Sequence, residues 1–229
     1  CIRWRYHRPP SGRLVYRTTR AVFAKLGELM TDKEINLDFE RENRTGVGEA
    51  IFCSGKSVSQ LQAICDRIRN ADKSMLFTQL SEDQFRSIEE SYPRLLKYDP
   101  VSLTAFHKPA PMKTEERIAV VTGGSSDIPV AREASRTLAF YGYRSLKIDD
   151  VGVAGLWRIT NRLEELREKQ IIICIAGMDA ALPTVLGGLI SAVLIAVPTS
   201  IGYGMAKEGE TALRSLLVSC APGITVVNI

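Results

Sequence analysis

The second half of the chain alternates apolar runs with helical stretches, and this alternation limits the fold more than any other feature. "RIAVVT", "RSLKI", "IIICIA", "AVLIAV" and "ITVVNI" are short, mostly uninterrupted apolar runs. Such runs suit strands buried on both faces, as in a parallel sheet covered by helices. Helical stretches separate them, at 129–141, about 155–169, 182–190 and 207–219. The pattern predicts an open parallel α/β sheet with right-handed crossovers. Ligands of such sheets bind beyond the carboxyl ends of the strands. Those ends are "TGGSSD", "DDVGVAG", "AGMDAALP" and "PTSIGYG", all dense in glycine or polar residues.

The first half reads as a smaller α/β unit over residues 31–106. A helix cap at Thr31 or Asp32 opens it, and a turn at Gly46 and Gly48 leads into a strand from Ala50 to Cys53. "SVSQLQAICDRIRN" places Val58, Leu61, Ile64, Cys65 and Ile68 on one helical face. "SMLFTQ" is a short strand, and "SEDQFRSIEES" starts a helix with a serine cap followed by acids. Residues 107–116, with two prolines in a polar setting, form the linker to the domain at 117–229.

Charge and cysteine usage narrow the class further. No run approaches the roughly 18 apolar residues of a membrane span, so neither a membrane nor, with a net charge of only +4, a nucleic acid is the expected partner. The basic excess sits in the leader, residues 1–30, where Arg3, Arg5, Arg8, Arg13, Arg17, Arg20 and Lys25 precede Glu28. That leader reads as a solvated segment, with a nucleic-acid or membrane arm and the remnant of an organelle-targeting sequence as the other readings. Position 1 is not Met, which reads as a chain beginning inside a longer one. The five cysteines, at 1, 53, 65, 174 and 220, are odd in number and widely spaced, and the histidines are only His7 and His107. A disulfide framework, a zinc site and a histidine metal site are all argued against, and a reduced, cytoplasmic setting is expected.

"VVTGGSSDIPVAREA" looks like a nucleotide-binding turn. Gly123 and Gly124 allow close backbone approach, and Ser125, Ser126 and Asp127 lead into Pro129, a good first-turn residue. Helix N-terminal amides with serine hydroxyls make a phosphate site, while Ser126 or Asp127 also caps the helix. No Gly-Lys-Ser/Thr follows, so this is not a P-loop, and Ile128 and Pro129 break the dinucleotide fingerprint. Tyr203 and Lys207 mimic a dehydrogenase Tyr-x-x-x-Lys pair, but only about eighty residues separate them from the glycine turn. That is too few for the elements such enzymes place between.

"GGSSDIPVAREA" resembles the Gly-x-Ser-Asp-x-Pro-Val turn of the PurE-type aminoimidazole ribonucleotide carboxylases. "DDVGVAGLWRI", "IAGMDAALPTVLGGLI", "IAVPTSIGYG" and "LLVSCAPGITVVNI" resemble their relatives, the LarB family of nickel-pincer-nucleotide biosynthesis, in order and spacing. "LDFERENRTGVGEAIFCSGKS" resembles the segment that family carries upstream, so the likeness spans residues 36–229. It implies a three-layer, PurE/flavodoxin-like parallel α/β domain that assembles into homo-octamers.

The implied activity takes nicotinic acid adenine dinucleotide, with CO2 or bicarbonate as co-substrate. The pyridinium ring is carboxylated and the phosphoanhydride hydrolysed, giving AMP and pyridinium-3,5-dicarboxylate mononucleotide. An electron-poor ring cannot attack CO2. A thiolate adding para to its nitrogen makes an enamine-like ring that can, and the thiolate then leaves. Cys220 is the candidate nucleophile; Cys174 and Cys65 fall at core positions. Asp179, at the end of a buried strand where desolvation can raise a carboxyl pKa, is the candidate base, or else the cap of the helix from Ala181.

The glycine turn would hold a phosphate, with Asp127 or Asp150 reaching ribose hydroxyls or Mg2+. Gly152, Gly177 and Met178 join the binding set, and Thr199, Ser200 and Tyr203 would line the ring or base pocket. The chain departs from the family at Trp157, where a histidine is usual, and at Asp179-Ala180, where Glu-Gly is usual. The family's Asp-Asn-Gly-Phe-Gly tail would follow Ile229. An aminoimidazole ribonucleotide carboxylase and a non-catalytic nucleotide-binding paralogue are the alternatives.

Overall fold

The structure, a computed structural model, describes residues 34–227. The basic leader and the cap expected at Thr31 or Asp32 lie outside the described residues. The first unit begins with α1 (Arg41–Thr45), which ends where Gly46 turns left-handed at φ 79°. Then follow β1 (Ala50–Phe52), α2 (Val58–Ala71), β2 (Met75–Thr78), α3 (Glu82–Ser91), β3 (Lys97–Asp99) and β4 (Thr104–His107).

Both longer helices start at reciprocal capping boxes. Ser57 accepts from the Gln60 amide at 3.2 Å while the Gln60 side chain accepts from the Ser57 amide. Ser81 and Gln84 repeat the pattern. Leu61, Ile64, Cys65 and Ile68 of α2 are all buried, against Phe77 and Ile88 among others. Burial pushes the Cys65 and Cys53 thiols up to about 12, so both stay neutral core groups.

Strand order in this sheet is β1-β2-β4-β3, with β1 and β2 parallel and the rest antiparallel. The hairpin β3–β4 extends the strand-helix-strand-helix unit that the sequence predicts. Its short strands mix charged, aromatic and small residues, so they lack a clean alternation.

The second domain contains β5 (Ile118–Thr122), α4 (Ile128–Phe140), β6 (Ser145–Ile148), α5 (Leu156–Thr160), α6 (Leu163–Arg167), β7 (Ile171–Ala176), α7 (Ala181–Gly187), β8 (Val193–Pro198), α8 (Glu210–Leu217) and β9 (Ile224–Val226). The stretch predicted as one helix at 155–169 is two, broken at Asn161 and Arg162. All five strands are parallel, in the order β6-β5-β7-β8-β9.

Alternate residues of the sheet feed two cores. Val121, Ile172, Cys174, Leu194 and Ala196 pack with Ile159, Leu166, Leu186 and Leu216 of the helices on one face. Val120 and Ile175 pack with Ala131 of α4 on the other. This is a three-layer, flavodoxin-like α/β domain preceded by a smaller α/β unit.

The two units meet along α4. Arg132 donates twice to the nearly buried Asp99, at 3.0 and 2.7 Å, and Arg136 donates to Thr104 and to the Lys97 carbonyl. Phe106, Leu76 and Phe140 form a small apolar cluster beside them. Burial alone would raise the Asp99 carboxyl. Arg132 and the two donors of Ser102 outweigh it and hold the group at about 2.

Candidate active site

In this strand order the chain reverses direction across the sheet between β5 and β7. The crevice at such a switch point is where open α/β sheets bind ligands. Here a cavity of about 220 Å³ opens at that point. Gly123, Gly124 and Asp127 line it from the loop after β5, and Gly152, Val153 and Ala154 from the loop after β6. Gly177, Met178, Asp179 and Ala180 face it after β7, together with Leu182 of α7, and Ile201 closes one side from the loop after β8.

The loops are laced together by backbone. The Gly123 amide donates to the Ile175 carbonyl, Thr199 to Ala176, and Met178 to Ile201. Thr122 holds the exit of β6, accepting from the Asp150 amide through its hydroxyl and from Val151 through its carbonyl. The approach is so close that glycine is obligatory at two points. A Cβ at Gly177 would meet the Ile201 carbonyl oxygen at 2.3 Å, and one at Gly152 the Gly123 oxygen at 2.6 Å.

Asp127 is 2% exposed. Its Oδ2 accepts from the Gly124 amide at 3.1 Å and its Oδ1 from the Thr199 hydroxyl at 2.7 Å. The carboxylate therefore ties the loop after β5 to the loop after β8, and both oxygens are engaged. It makes no side-chain cap on α4, contrary to the expected helix-capping role. Burial pushes its pKa up, against the two hydrogen bonds that lower it. Thr199, buried beneath the loop, is half of this tie. Ser125 and Ser126 are exposed in a 3-10 turn at the start of α4, with the glycines beside them.

Asp179 stands differently. Its strand end at Ala176 is buried, but Asp179 itself is exposed at the mouth of the cavity. It does not cap α7: the N-cap is Ala180, and no side chain bonds there. The residues on either side of it are left-handed, Met178 at φ 58° and Ala180 at φ 50°. Each such non-glycine residue costs on the order of 1–2 kcal/mol, and strain of this kind collects at functional sites. Ala180 is also buried, at the position where the related pattern carries glycine.

Asp150 is exposed and left-handed at φ 56°, with its carboxylate 3.3 Å from Arg158. Ser200 and Tyr203 are exposed and outside the cavity lining, and Tyr203 is 83% exposed. Tyr203 and Lys207 do not share an α-helix face, because Lys207 and Glu208 kink the segment with left-handed backbone. That geometry removes the dehydrogenase pairing.

Cys220 is exposed and unbridged, but it is not at this cavity. It precedes β9 in the parallel sheet, so it sits at the amino edge, whereas the cavity sits at the carboxyl edge. Its neighbours confirm the position. Ser219 shares a hydrogen bond of 2.8 Å with Thr184, and Ala221 lies against Gly187 at the far end of α7. Cys174 is buried in β7, its thiol pushed up by burial.

Ile201, Val153, Ala154 and Leu182 line the cavity without having been picked out from sequence. Their position just after strands β6, β7 and β8 was the available signal. Among the described residues, no three or more His, Cys, Asp or Glu side chains cluster to hold a metal, and no helix is long and apolar enough to cross a membrane.

Comparison with known proteins agrees with this architecture. Residues 30–109 match the LarB/PurE-like N-terminal domain family, and residues 117–229 match the AIR carboxylase family. The chain is also similar to the uncharacterized protein MJ0165 of Methanocaldococcus jannaschii, 34% identical over 206 residues. That alignment covers 86% of this chain and 79% of the relative. The domain matches support a carboxylase-type function.

Proposed function

The chain belongs to the LarB family, and on that premise we propose that it carboxylates the pyridinium ring of nicotinic acid adenine dinucleotide and hydrolyses its phosphoanhydride. The observation that carries this reading is the meeting, in one cavity, of the Gly123–Asp127 turn and the exposed Asp179 on its strained loop. One end suits a phosphate; the other presents a carboxylate to a ring. No histidine occurs anywhere in residues 117–229, which disfavours an aminoimidazole ribonucleotide carboxylase relaying protons through histidine.

In the proposed reaction the Cys220 thiolate, which lies away from the cavity of its own chain and would be brought to it by a neighbouring copy in a homo-oligomer, adds to the ring carbon para to the nitrogen, giving a dihydropyridine. The neighbouring carbon attacks CO2, and Asp179 takes the proton from that carbon. Expulsion of the thiolate restores the aromatic ring with one more carboxylate. Water then cleaves the phosphoanhydride, releasing AMP. The amides at the start of α4 and the hydroxyls of Ser125 and Ser126 hold a phosphate.

Mg2+ would arrive with the substrate phosphates, since it is commonly held by one or two carboxylates and phosphate oxygens. Asp150, exposed at the same edge, is a fitting single carboxylate donor. The cation would neutralise phosphate charge.

The test is incubation with nicotinic acid adenine dinucleotide, bicarbonate and Mg2+, with products read by mass spectrometry. AMP with a carboxylated pyridinium mononucleotide is expected. AMP alone would leave a hydrolase, and binding without turnover would leave a nucleotide-binding paralogue.

A further inference from the structure

A second and larger cavity, of about 480 Å³, lies at the end of the small sheet where β3 begins and β4 leaves. Its volume falls within the roughly 300–1,000 Å³ of small-molecule sites. Arg69, Arg94, Lys97, His107 and Lys108 line it, and no carboxylate does. Tyr92, Pro93, Leu95 and Phe106 supply apolar wall. Two of the basic residues have structural reasons to be there. Arg69 ends α2, where a cation complements the helix dipole, and it pairs with Asp66 at 2.9 Å. Lys108 pairs with Asp72. Arg94 and Lys97 have no such reason. Among the described residues, no hydrogen bond or ion pair joins either side chain to another group. Glu89 accepts from the Arg94 backbone amide at 3.0 Å, not from its guanidinium.

The cavity wall is also held in an unusual conformation. Arg94 and Lys108 are left-handed, at φ 61° and 49°. Each is pinned in place, Arg94 by Glu89 and Lys108 by the Ser74 hydroxyl, which donates to its carbonyl at 2.6 Å. Such strain persists only where the surroundings over-determine it, and it collects at ligand clamps. His107, the only histidine among the described residues, is fixed as well. Its Nδ1 donates to the Leu95 carbonyl at 3.0 Å, which leaves Nε2 for a ligand.

We infer that this cavity binds a phosphomonoester carried on a planar organic body, of the class of nucleoside monophosphates. The two unpaired cations match the roughly −1.5 to −2 charge of such a phosphate at neutral pH. Arg94 adds a planar fork of donors that suits phosphate oxygens. The apolar walls suit a base or ring, which free phosphate lacks. A nucleic acid would instead call for a basic stripe along its backbone; here the cations close around one cavity. The site lies at the far end of α4 from the candidate active site. Phe106 meets Phe140, the last residue of α4, with ring centroids 6.2 Å apart, whereas Asp127 precedes the first. The helix is roughly 20 Å long, so the two cavities take separate molecules. Nothing in this site depends on the reaction proposed above.

Equilibrium dialysis of the full chain against AMP, inorganic phosphate and adenosine tests the assignment. AMP is expected to bind more tightly than phosphate, and adenosine only marginally. The Arg94→Ala, Lys97→Ala double variant should lose one class of AMP site, its affinity falling by about tenfold or more as two charge-assisted contacts are removed. Ser125→Ala with Ser126→Ala, at the other end of α4, should keep that class. AMP affinity unchanged in the Arg94, Lys97 variant would overturn the inference. So would wild type that binds no AMP at millimolar concentration, or that binds phosphate as tightly as AMP.

Photolabelling locates the site without any substitution, so it decides the matter even where the double variant fails to fold. A photoreactive azido analogue of AMP, followed by peptide mapping, is expected to mark the segments around Tyr92–Lys97 and Phe106–Pro109. Label confined to the loops after β5, β6, β7 and β8 would overturn the inference. Inactivity toward nicotinic acid adenine dinucleotide, with this labelling intact, would count against the proposed function alone.

Discussion

The seam between the two units and the carboxyl edge of the parallel sheet are built on opposite principles. At the seam, Asp99 receives Arg132, the Ser102 amide and the Ser102 hydroxyl, and Phe106 and Phe140 close the gap. Asp99, Ser102 and Arg132 all have partners there. At the carboxyl edge, Asp150, Met178, Ala180, Lys207 and Glu208 are all left-handed, and large apolar side chains stand in solvent. A protein gains nothing in stability from such an edge. The contrast places stability in the seam and sheet cores, and chemistry in the loops.

The largest separation of the two should come from Asp179→Asn. We expect turnover to fall by about 10²–10⁴, the usual contribution of a proton-transferring side chain. Stability should stay within about 0.5 kcal/mol, since the residue is exposed and makes no cap. Steady-state assay beside thermal melting checks both. Loss of stability would mean that the loop is structural after all.

Gly177→Ala should show the reverse coupling, because its Cβ would lie 2.3 Å from a backbone oxygen. A cost of about 2–3 kcal/mol is expected, with the Met178–Ala180 loop displaced and turnover lost as well. Urea unfolding measures the first.

Arg132→Met attacks the seam alone. Removing the partner of a nearly buried carboxylate, with the arginine itself half-exposed, should cost about 2 kcal/mol at neutral pH. The Asp99 carboxyl sits at about 2 in the folded chain against an ordinary 3.8. Its contribution is therefore complete above about pH 4 and is lost as pH falls toward 2. The variant should gain less stability than wild type across that window as pH rises. Acid titration of both by circular dichroism checks the sign, with activity per folded molecule unchanged.

The smallest effect should be Ala180→Gly. Relief of the left-handed strain, offset by the added flexibility of glycine in the unfolded chain, leaves a stabilisation of about 0.5–1 kcal/mol. A destabilised variant would show that the Ala180 methyl, buried in the core, outweighs its backbone.

Much of the fold was legible because buried parallel strands are apolar without interruption. "IIICIA" is β7 residue for residue, and α4 was displaced by a single position. The hairpin β3–β4 was not legible, since Lys97–Asp99 owes its strand to partners on β4 and to Arg136 of a distant helix. Within the site, the loops were readable from glycine density at strand ends. The inward turn of Asp127 was not, because Thr199 lies 72 residues away.

The placement of Cys220 could have been read. A residue before an apolar strand of a parallel sheet lies at the amino edge, and one after it at the carboxyl edge. The resemblance drew attention to the residue type, while the topology carried its location.

The most direct test of the account is turnover of nicotinic acid adenine dinucleotide in ¹³C-labelled bicarbonate, followed by mass spectrometry of the pyridinium product. A dicarboxylated mononucleotide carrying the heavy carbon is expected, with AMP released in equal amount. A product without the label, or none under conditions where the dinucleotide binds, would contradict it.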